Sequence, residues 1–530
     1  MARDKTIKVC ANEEGFSKAR DFVGKTLTRR RINTNIASET MLLFEALFSE
    51  IISQANDSDT EIKVSSEWGL GSTDIKIVFA GKRFLKPEGD VSSDPDAKIV
   101  EVFSDKVSCS YQNGDNVIRI TVNLSAWSFI LPNLIAVIAA LVVGIVLECT
   151  VDHAGQALIA REWVMPLEKL FTNAVLMIGA PMTLFSLLKN VTDSFIVSER
   201  HSTAGKLFIA SMASSLIAIA LALVLGFTFA QEVLMTAGVT DSVDIGFANW
   251  SLASAVDQII PSNILEPFQS ISPVPMIVVA ILIASALCIV GQSFELLKRA
   301  IDACYDLFSS ILQILMGFFP LACFLLFLEI LLSDKGLPGF FVILFIVLVV
   351  FVCTVPLLIT YAIRLKAHGI PVRDFAKKLW PLVKENFVIG SVIDAVPYNT
   401  RYCVKVFGIS RERLEKELPV LAQTNLDGNC FILMLLAAIY ISIANCEVSW
   451  FNIAVIALIV LFLSFGAPNQ PGSILIGMLI ILTYLKSDSI VSMALCFELF
   501  CGGLQNILNV ISSVVAVAEN ECREEQHQLR

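Results

Sequence analysis

From Ala126 onward the chain is a succession of charge-free apolar runs, and no other feature limits its possible folds so strongly. Crossing the ~30 Å hydrocarbon layer of a bilayer takes about 20 residues. Ala126–Leu147, Leu170–Leu188, Leu207–Ala230, Val274–Gly291, Leu307–Leu332 and Phe340–Ile363 meet or approach that length, which predicts six spans. In hydrocarbon each backbone N–H and C=O must be satisfied within its own segment, so the runs are expected as helices. Only 17% of the residues are charged, against ~25% in a typical soluble domain. The chain is therefore expected as a polytopic α-helical protein of a cell's inner or plasma membrane, with the lipid bilayer as a partner.

Composition also removes function classes. A formal net charge of −10 with no nucleic-acid motif argues against RNA or DNA as a partner. Thirteen Cys without a CxxC pair and only four His offer neither a transition-metal site nor a disulfide framework. No nucleophile, metal or glycine-rich phosphate constellation points to an enzyme, and no organic cofactor is expected. The charged N-terminus MARDKTIKVC lacks an apolar core, so no cleaved signal peptide is expected.

Two later segments are apolar but interrupted. Between Ile453 and Leu485, SFGAPNQPGS (Ser464–Ser473) breaks the run and leaves two arms too short to span. The expected shape is a re-entrant hairpin whose tip is buried or lines a cavity. ENFVIGSVIDAVPYNTRY predicts a second, with Asn386–Thr400 carrying Asp394 and broken at Pro397. Paired interrupted segments in the two halves of a transporter point to a binding site near the midplane.

Loop charges orient the chain. Gln231–Ile271 holds no Lys or Arg, whereas Arg364–Lys384 and Arg401–Lys416 are rich in both, so the first is expected outside and the others in the cytoplasm. Six spans, a hairpin from the cytoplasm, a seventh span at Asn425–Ala444, a hairpin from outside and an eighth span at Ile490–Ala518 satisfy every loop. Both termini are then cytoplasmic, with residues 126–522 forming the membrane domain and 523–530 a tail.

TNLDGNC, Thr424–Cys430, places Asp427 at the entry of the seventh span. A carboxylate at bilayer depth costs at least ~2.5–3.5 kcal/mol, so it needs a partner, an ion or a water-filled cavity. Two readings stand: a helix cap in which Asp427 meets the dipole, or an ion site.

Residues 1–125 are polar and mixed, and form a separate soluble, cytoplasmic domain by this reading. ETMLLFEALFSEIISQAND has helical periodicity, with Leu43, Leu47, Ile51 and Ile52 on one stripe. EIKVSS, DIKIVFAG, KVSCSYQ and NVIRITVNL alternate as strands, which predicts an α+β domain. The order resembles a degenerate histidine-kinase-like ATPase fold. Ser53 or Gln54 stands where that family offers Asn, and FAGKRF replaces its DxGxG loop. A regulatory or packing role is expected rather than nucleotide binding.

The membrane part, Trp127–Glu521, resembles the dicarboxylate/amino acid:cation symporter family, the glutamate transporter fold. The resemblance is carried by IIPSNILEPF before the fourth span, TNLDGN for an NMDGT-like motif, SFGAPNQPGSILIGMLIILT for a Gly- and Pro-rich second hairpin, and NILNVISS for NVxxD. It implies eight spans, two re-entrant hairpins with inverted repeats, an elevator-like motion and a homotrimer. It also implies a cation, Na⁺ or H⁺, held by Asn425 and Asp427 with the hydroxyls of Ser214 and Ser215, and a second position at Asn509 and Ser513. Small-residue helix packing is the alternative account of Ser214 and Ser215. The implied solute pocket takes Ser391, Val392 and Asp394 from the first hairpin and Pro468 and Asn469 from the second. Asn429 joins it from the seventh span, and Glu498, Gly502, Gln505 and Asn506 from the last.

The departures bear on the solute. Where the family's amino-acid binders align an aspartate, an arginine and a further aspartate, this chain has Gly502, Gln505 and Ser513. Gln505 cannot supply the charged planar fork that holds a carboxylate, so glutamate and aspartate are not expected as solutes. Glu498, Gly502, Gln505 and Asn509 share one helical stripe, which lets Glu498 replace the lost ammonium contact. A snorkelling or interhelically bonded Glu498 is the other account. Two functions follow: a Na⁺- or H⁺-coupled symporter of a small polar organic solute, or a transporter-derived receptor signalling through residues 1–125.

Overall fold

The computed structural model describes residues 6–29, 34–54, 61–68, 72–80, 107–112, 115–123, 126–200, 202–237, 260–264, 266–269, 272–289, 294–333, 336–389, 391–393, 395–443, 449–466, 471–485 and 491–528. The chain divides into two compact units, Met1–Phe129 and Ile130–Arg530.

The first unit holds β1 (Thr6–Cys10), α1 (Glu13–Arg29), α2 (Thr34–Gln54), β2 (Glu61–Trp68), β3 (Ser72–Ala80), β4 (Val107–Gln112) and β5 (Asp115–Asn123). The strands form an antiparallel sheet in the order β1-β2-β3-β5-β4. Period-2 alternation turns Ile62, Val64, Ile75, Ile77, Ile118 and Ile120 to one face, where they bury against Phe44, Leu47, Phe48 and Ile51 of α2. The Asn113-Gly114 turn and Gly81–Phe84 lie outside the described residues.

The second unit is helical. It begins with α3 (Ala126–Thr150), the short α4 (His153–Ile159), and a π-helical turn, Ala160–Val164, leading into α5 (Met165–Arg200). Then follow α6 (Ser202–Ala237), α7 (Glu266–Gln269), α8 (Pro273–Ile289), α9 (Phe294–Met316), α10 (Phe319–Leu332) and α11 (Gly336–Ala367). Among the described residues, six segments are long and apolar enough to cross a membrane, and the bent pair α9 and α10 makes one more. Counted by length, α8 falls short at 17 residues. The run Leu307–Leu332, expected as one span, bends by 50° between Met316 and Phe319. Pro320 sits in the first turn of α10 and has no N–H to return to the preceding turn, so the helix restarts there.

Four shorter helices and a broken one follow. They are α12 (Val372–Ile389), α13 (Val396–Phe407), α14 (Arg411–Thr424), α15 (Asp427–Ile443), α16 (Trp450–Phe465) and α17 (Ser473–Tyr484), before the 38-residue α18 (Val491–Gln528). The first helix pair extends from Val372 to Phe407, well beyond Asn386–Thr400. Pro397 starts α13 rather than breaking a helix, because a first-turn proline loses no intrahelical bond. Reciprocal amide bonds between Asn386 and Asn399, 2.6 and 3.0 Å, tie the two arms. The stretch Arg411–Lys416, expected in a loop, is the start of α14 and carries the i,i+4 ion pairs Arg411–Glu415 and Lys416–Glu412. The seventh segment is thus Arg411–Ser442, interrupted at Asn425 and Leu426.

Burial separates the helices. Every residue from Thr424 to Ile441 is buried, whereas α3 exposes Leu131, Ile135, Ile138, Val142 and Val146. Two glycines let α15 be enclosed so closely. A Cβ on Gly226 would lie 2.6 Å from Ala438 Cβ, and one on Gly428 would lie 2.4 Å from the Gln505 carbonyl oxygen.

Candidate cation and solute site

The break at Asn425 and Leu426 frees backbone and brings polar side chains of three other helices onto the first turn of α15. Asp427 is wholly buried. Its Oδ2 accepts from Ser214 Oγ at 2.5 Å, Ser512 Oγ at 2.5 Å and Tyr361 Oη at 3.2 Å, and its Oδ1 accepts from Ser215 Oγ at 2.9 Å. Asn425 Nδ2 donates to Ser512 Oγ at 2.7 Å, while its buried Oδ1 has no hydrogen-bond partner among the described residues. Unpaired acceptors at full burial are costly, of order 1–3 kcal/mol. A carboxylate, an unpaired amide oxygen and four hydroxyls are the oxygen set a hard monovalent cation takes, and they fit one here. Among the described residues, no group of three or more His, Cys, Asp or Glu could hold a metal ion.

Ser214, Ser215, Asn425 and Asp427 therefore meet. Asn509 stands beside them in a different role, since its Oδ1 accepts from the backbone of Gly428 at 2.7 Å and Asn429 at 3.3 Å, and its Nδ2 donates to Asn429 Oδ1 at 2.8 Å. It pins the start of α15 to α18. Ser513 Oγ donates to the Asn509 carbonyl of its own helix at 2.9 Å and reaches the Leu421 carbonyl of α14 at 3.5 Å, and its neighbour Ser512 holds Asp427.

Of the residues expected to line a solute pocket, Glu498 and Gln505 reach the start of α17. Gly472 has φ +106°, a conformation open chiefly to glycine, and aims its N–H at Glu498. The buried Glu498 carboxylate accepts from Gly472 N at 2.7 Å and Leu475 N at 3.0 Å, so two N-terminal amides of α17 are satisfied by this chain's own acid. Gln505 Nε2 donates to Ser473 Oγ at 2.6 Å, and its buried Oε1 is unpartnered among the described residues. Gly502 backs onto Glu498, with room for a Cβ only at 3.0 Å from Oε1. Asn506 is half-buried on the same helix, and Ser391 and Val392 are buried between α12 and α13. Asp394, Pro468 and Asn469 lie outside the described residues.

The chain matches the family model of the Sodium:dicarboxylate symporter family over residues 130–519. It belongs to that family. Individually curated proteins give no match. Family membership and the long apolar helices make the chain an integral membrane protein of a symporter family, a transporter rather than an enzyme at the level of the family. In this symporter-family chain four site residues escaped sequence reading: Ser512, Tyr361, Arg364 and Glu519. Arg364 donates from Nε and Nη2 to both oxygens of Glu519 at 2.9 Å, and from Nη1 to Ser214 Oγ at 2.9 Å. The signal for Tyr361 and Arg364 lies in TYAIR, a polar pair at i,i+3 closing an apolar run.

Proposed function

We propose that the chain is a secondary active symporter that moves a small polar organic solute, of the amino acid or carboxylate class but neither glutamate nor aspartate, coupled to Na⁺ or H⁺. The observation that carries this is the buried Asp427, ringed by hydroxyls of α6, α11 and α18, beside the unpartnered Asn425 Oδ1 at a helix break. A helix cap alone needs neither four hydroxyls from three distant helices nor a bare amide oxygen. A transported cation supplies the missing partner and offsets the carboxylate where water is scarce.

The solute reading rests on the other cluster. With Glu498 filling the N–H groups of Gly472 and Leu475, and Gln505 in place of a guanidinium, an incoming carboxylate meets a like charge and finds no positive partner. The unpartnered Gln505 Oε1 suits a donor such as a hydroxyl, an amide or an ammonium.

The same reading includes eight spans, with α8 and the bent α9 and α10 each counted as one, and re-entrant hairpins formed by α12 with α13 and by α16 with α17. The hairpin-bearing half carries solute and ion together in an elevator motion, within a homotrimer whose termini are cytoplasmic. Residues 1–125 serve regulation or packing. Proteoliposome uptake from a mixed metabolite pool, with and without a Na⁺ or pH gradient, tests this. Gradient-dependent accumulation of a neutral polar solute is expected, and uptake indifferent to both gradients would remove the coupling.

A further inference from the structure

We propose that Arg364 is a built-in counter-charge that sets the affinity of the Asp427 site for its cation. This rests on the cation-coupling reading above. Tyr361 and Arg364 lie on one face of α11, three residues apart, and reach the same cluster: Tyr361 Oη bonds Asp427 Oδ2, and Arg364 Nη1 bonds Ser214 Oγ, which itself donates to Oδ2. One hydroxyl separates the guanidinium from the carboxylate. The rest of the guanidinium is fixed by the two-point pair with Glu519, whose side chain is 8% exposed. The adjacent residues of α18 are engaged elsewhere, Asn520 with Glu417 at 3.0 Å and Glu521 with Arg413 at 2.5 Å, which leaves Glu519 to Arg364.

Counting charges then gives the cluster a definite valence. Asp427 and Glu519 contribute −2 and Arg364 +1, so the group stands at −1 and one monovalent cation neutralises it. Without Arg364 the group stands at −2 and binds a cation more tightly than a release step tolerates. Without the Glu519 charge it stands at zero and binds weakly. At two hydrogen bonds' distance and an effective dielectric near 20, a unit charge changes cation affinity by roughly tenfold to a hundredfold. The geometry also engages the Ser214 hydroxyl from both sides, so an entering ion competes with Arg364 for that oxygen.

The test is equilibrium binding of ²²Na⁺ to the purified full chain in lipid nanodiscs, with transport not required. Arg364→Met is expected to bind at least tenfold tighter and Glu519→Gln at least tenfold weaker, opposite shifts that general damage to packing would not give. Arg364→Met/Glu519→Met restores the net charge of −1 without leaving either partner alone, and is expected within a few-fold of wild type. Arg364→Lys keeps the charge and loses the fork, with the same expectation. These two variants decide the question even where a single substitution unfolds the chain. Shifts in the same direction for both singles, or a double variant or Arg364→Lys that fails to recover wild-type affinity, overturn the role of Arg364 alone. Absence of Na⁺ binding by the wild type, combined with no proton release on its titration, overturns cation coupling itself and this inference with it.

Discussion

Two polar clusters sit on the same broken core of this protein, and they differ in what they lack. Around Asp427 the hydroxyls converge on a negative charge. Around Glu498 the protein's own carboxylate already occupies the helix terminus, and Gln505 replaces a charge with an amide. The first arrangement keeps the oxygens a cation needs. The second gives up the positive charge an acidic solute needs. On the proposed reading, one chain retains coupling chemistry while changing its cargo, because the ion and the solute fall to separate side chains.

The strongest way to break that separation is Asp427→Asn. Asparagine keeps the shape and loses the charge, so gradient-driven accumulation is expected to fall to background while membrane insertion is unchanged, as read by uptake and by size-exclusion of the purified variant. Accumulation equal to wild type would make Asp427 a cap. Next comes Gly428→Ala, whose Cβ would lie 2.4 Å from the Gln505 carbonyl and 2.8 Å from Asn509 Oδ1. It wedges α15 off α18 and strikes both clusters, with an expected loss of ~1–3 kcal/mol in stability by thermal melting.

Smaller effects sharpen the solute side. Gln505→Arg is expected to shift the preference towards dicarboxylates by about tenfold, the worth of a modest charge-assisted bond, in competition uptake. An unchanged ranking would place the solute away from α18. Glu498→Gln removes the like charge that faces an incoming acid, and is expected to raise inhibition by acidic solutes several-fold without altering Na⁺ dependence. The smallest effect tests only orientation: a Cys at Gly408, the left-handed end of α13, should resist an impermeant thiol reagent applied outside intact cells.

Apolar run length made most of the membrane helices legible, and the Ser464–Ser473 interruption gave the division of α16 from α17. The arms of the first helix pair were hidden, because Lys377, Lys378 and Lys384 on α12 and Lys405 on α13 read as loop charge. β1 and α1 escaped too. β1 is a five-residue strand whose only buried residue is Val9, and no long alternation marks it. In the site, TNLDGN marked Asp427 and Asn425, and the Ser214-Ser215 pair was legible beside them. Ser512 was not read as a partner of Asp427 because adjacent residues lie about 100° apart on a helix, and sequence alone does not show which neighbour each one meets. Arg364 was read as a flanking positive charge, the usual role of a basic residue that ends a span. Only the fold brings Glu519, 155 residues later, against it.

The most direct measurement is ligand-dependent thermal stability of the purified full chain, wild type and Asp427→Asn, titrated with Na⁺ and then with aspartate. A ligand that binds only the folded state raises the melting temperature with its concentration, so each cluster reports separately. A Na⁺-dependent rise in wild type that is lost in Asp427→Asn, with no further rise on adding millimolar aspartate, is the predicted result. A Na⁺ response that survives in Asp427→Asn, or stabilisation of wild type by micromolar aspartate, would contradict it.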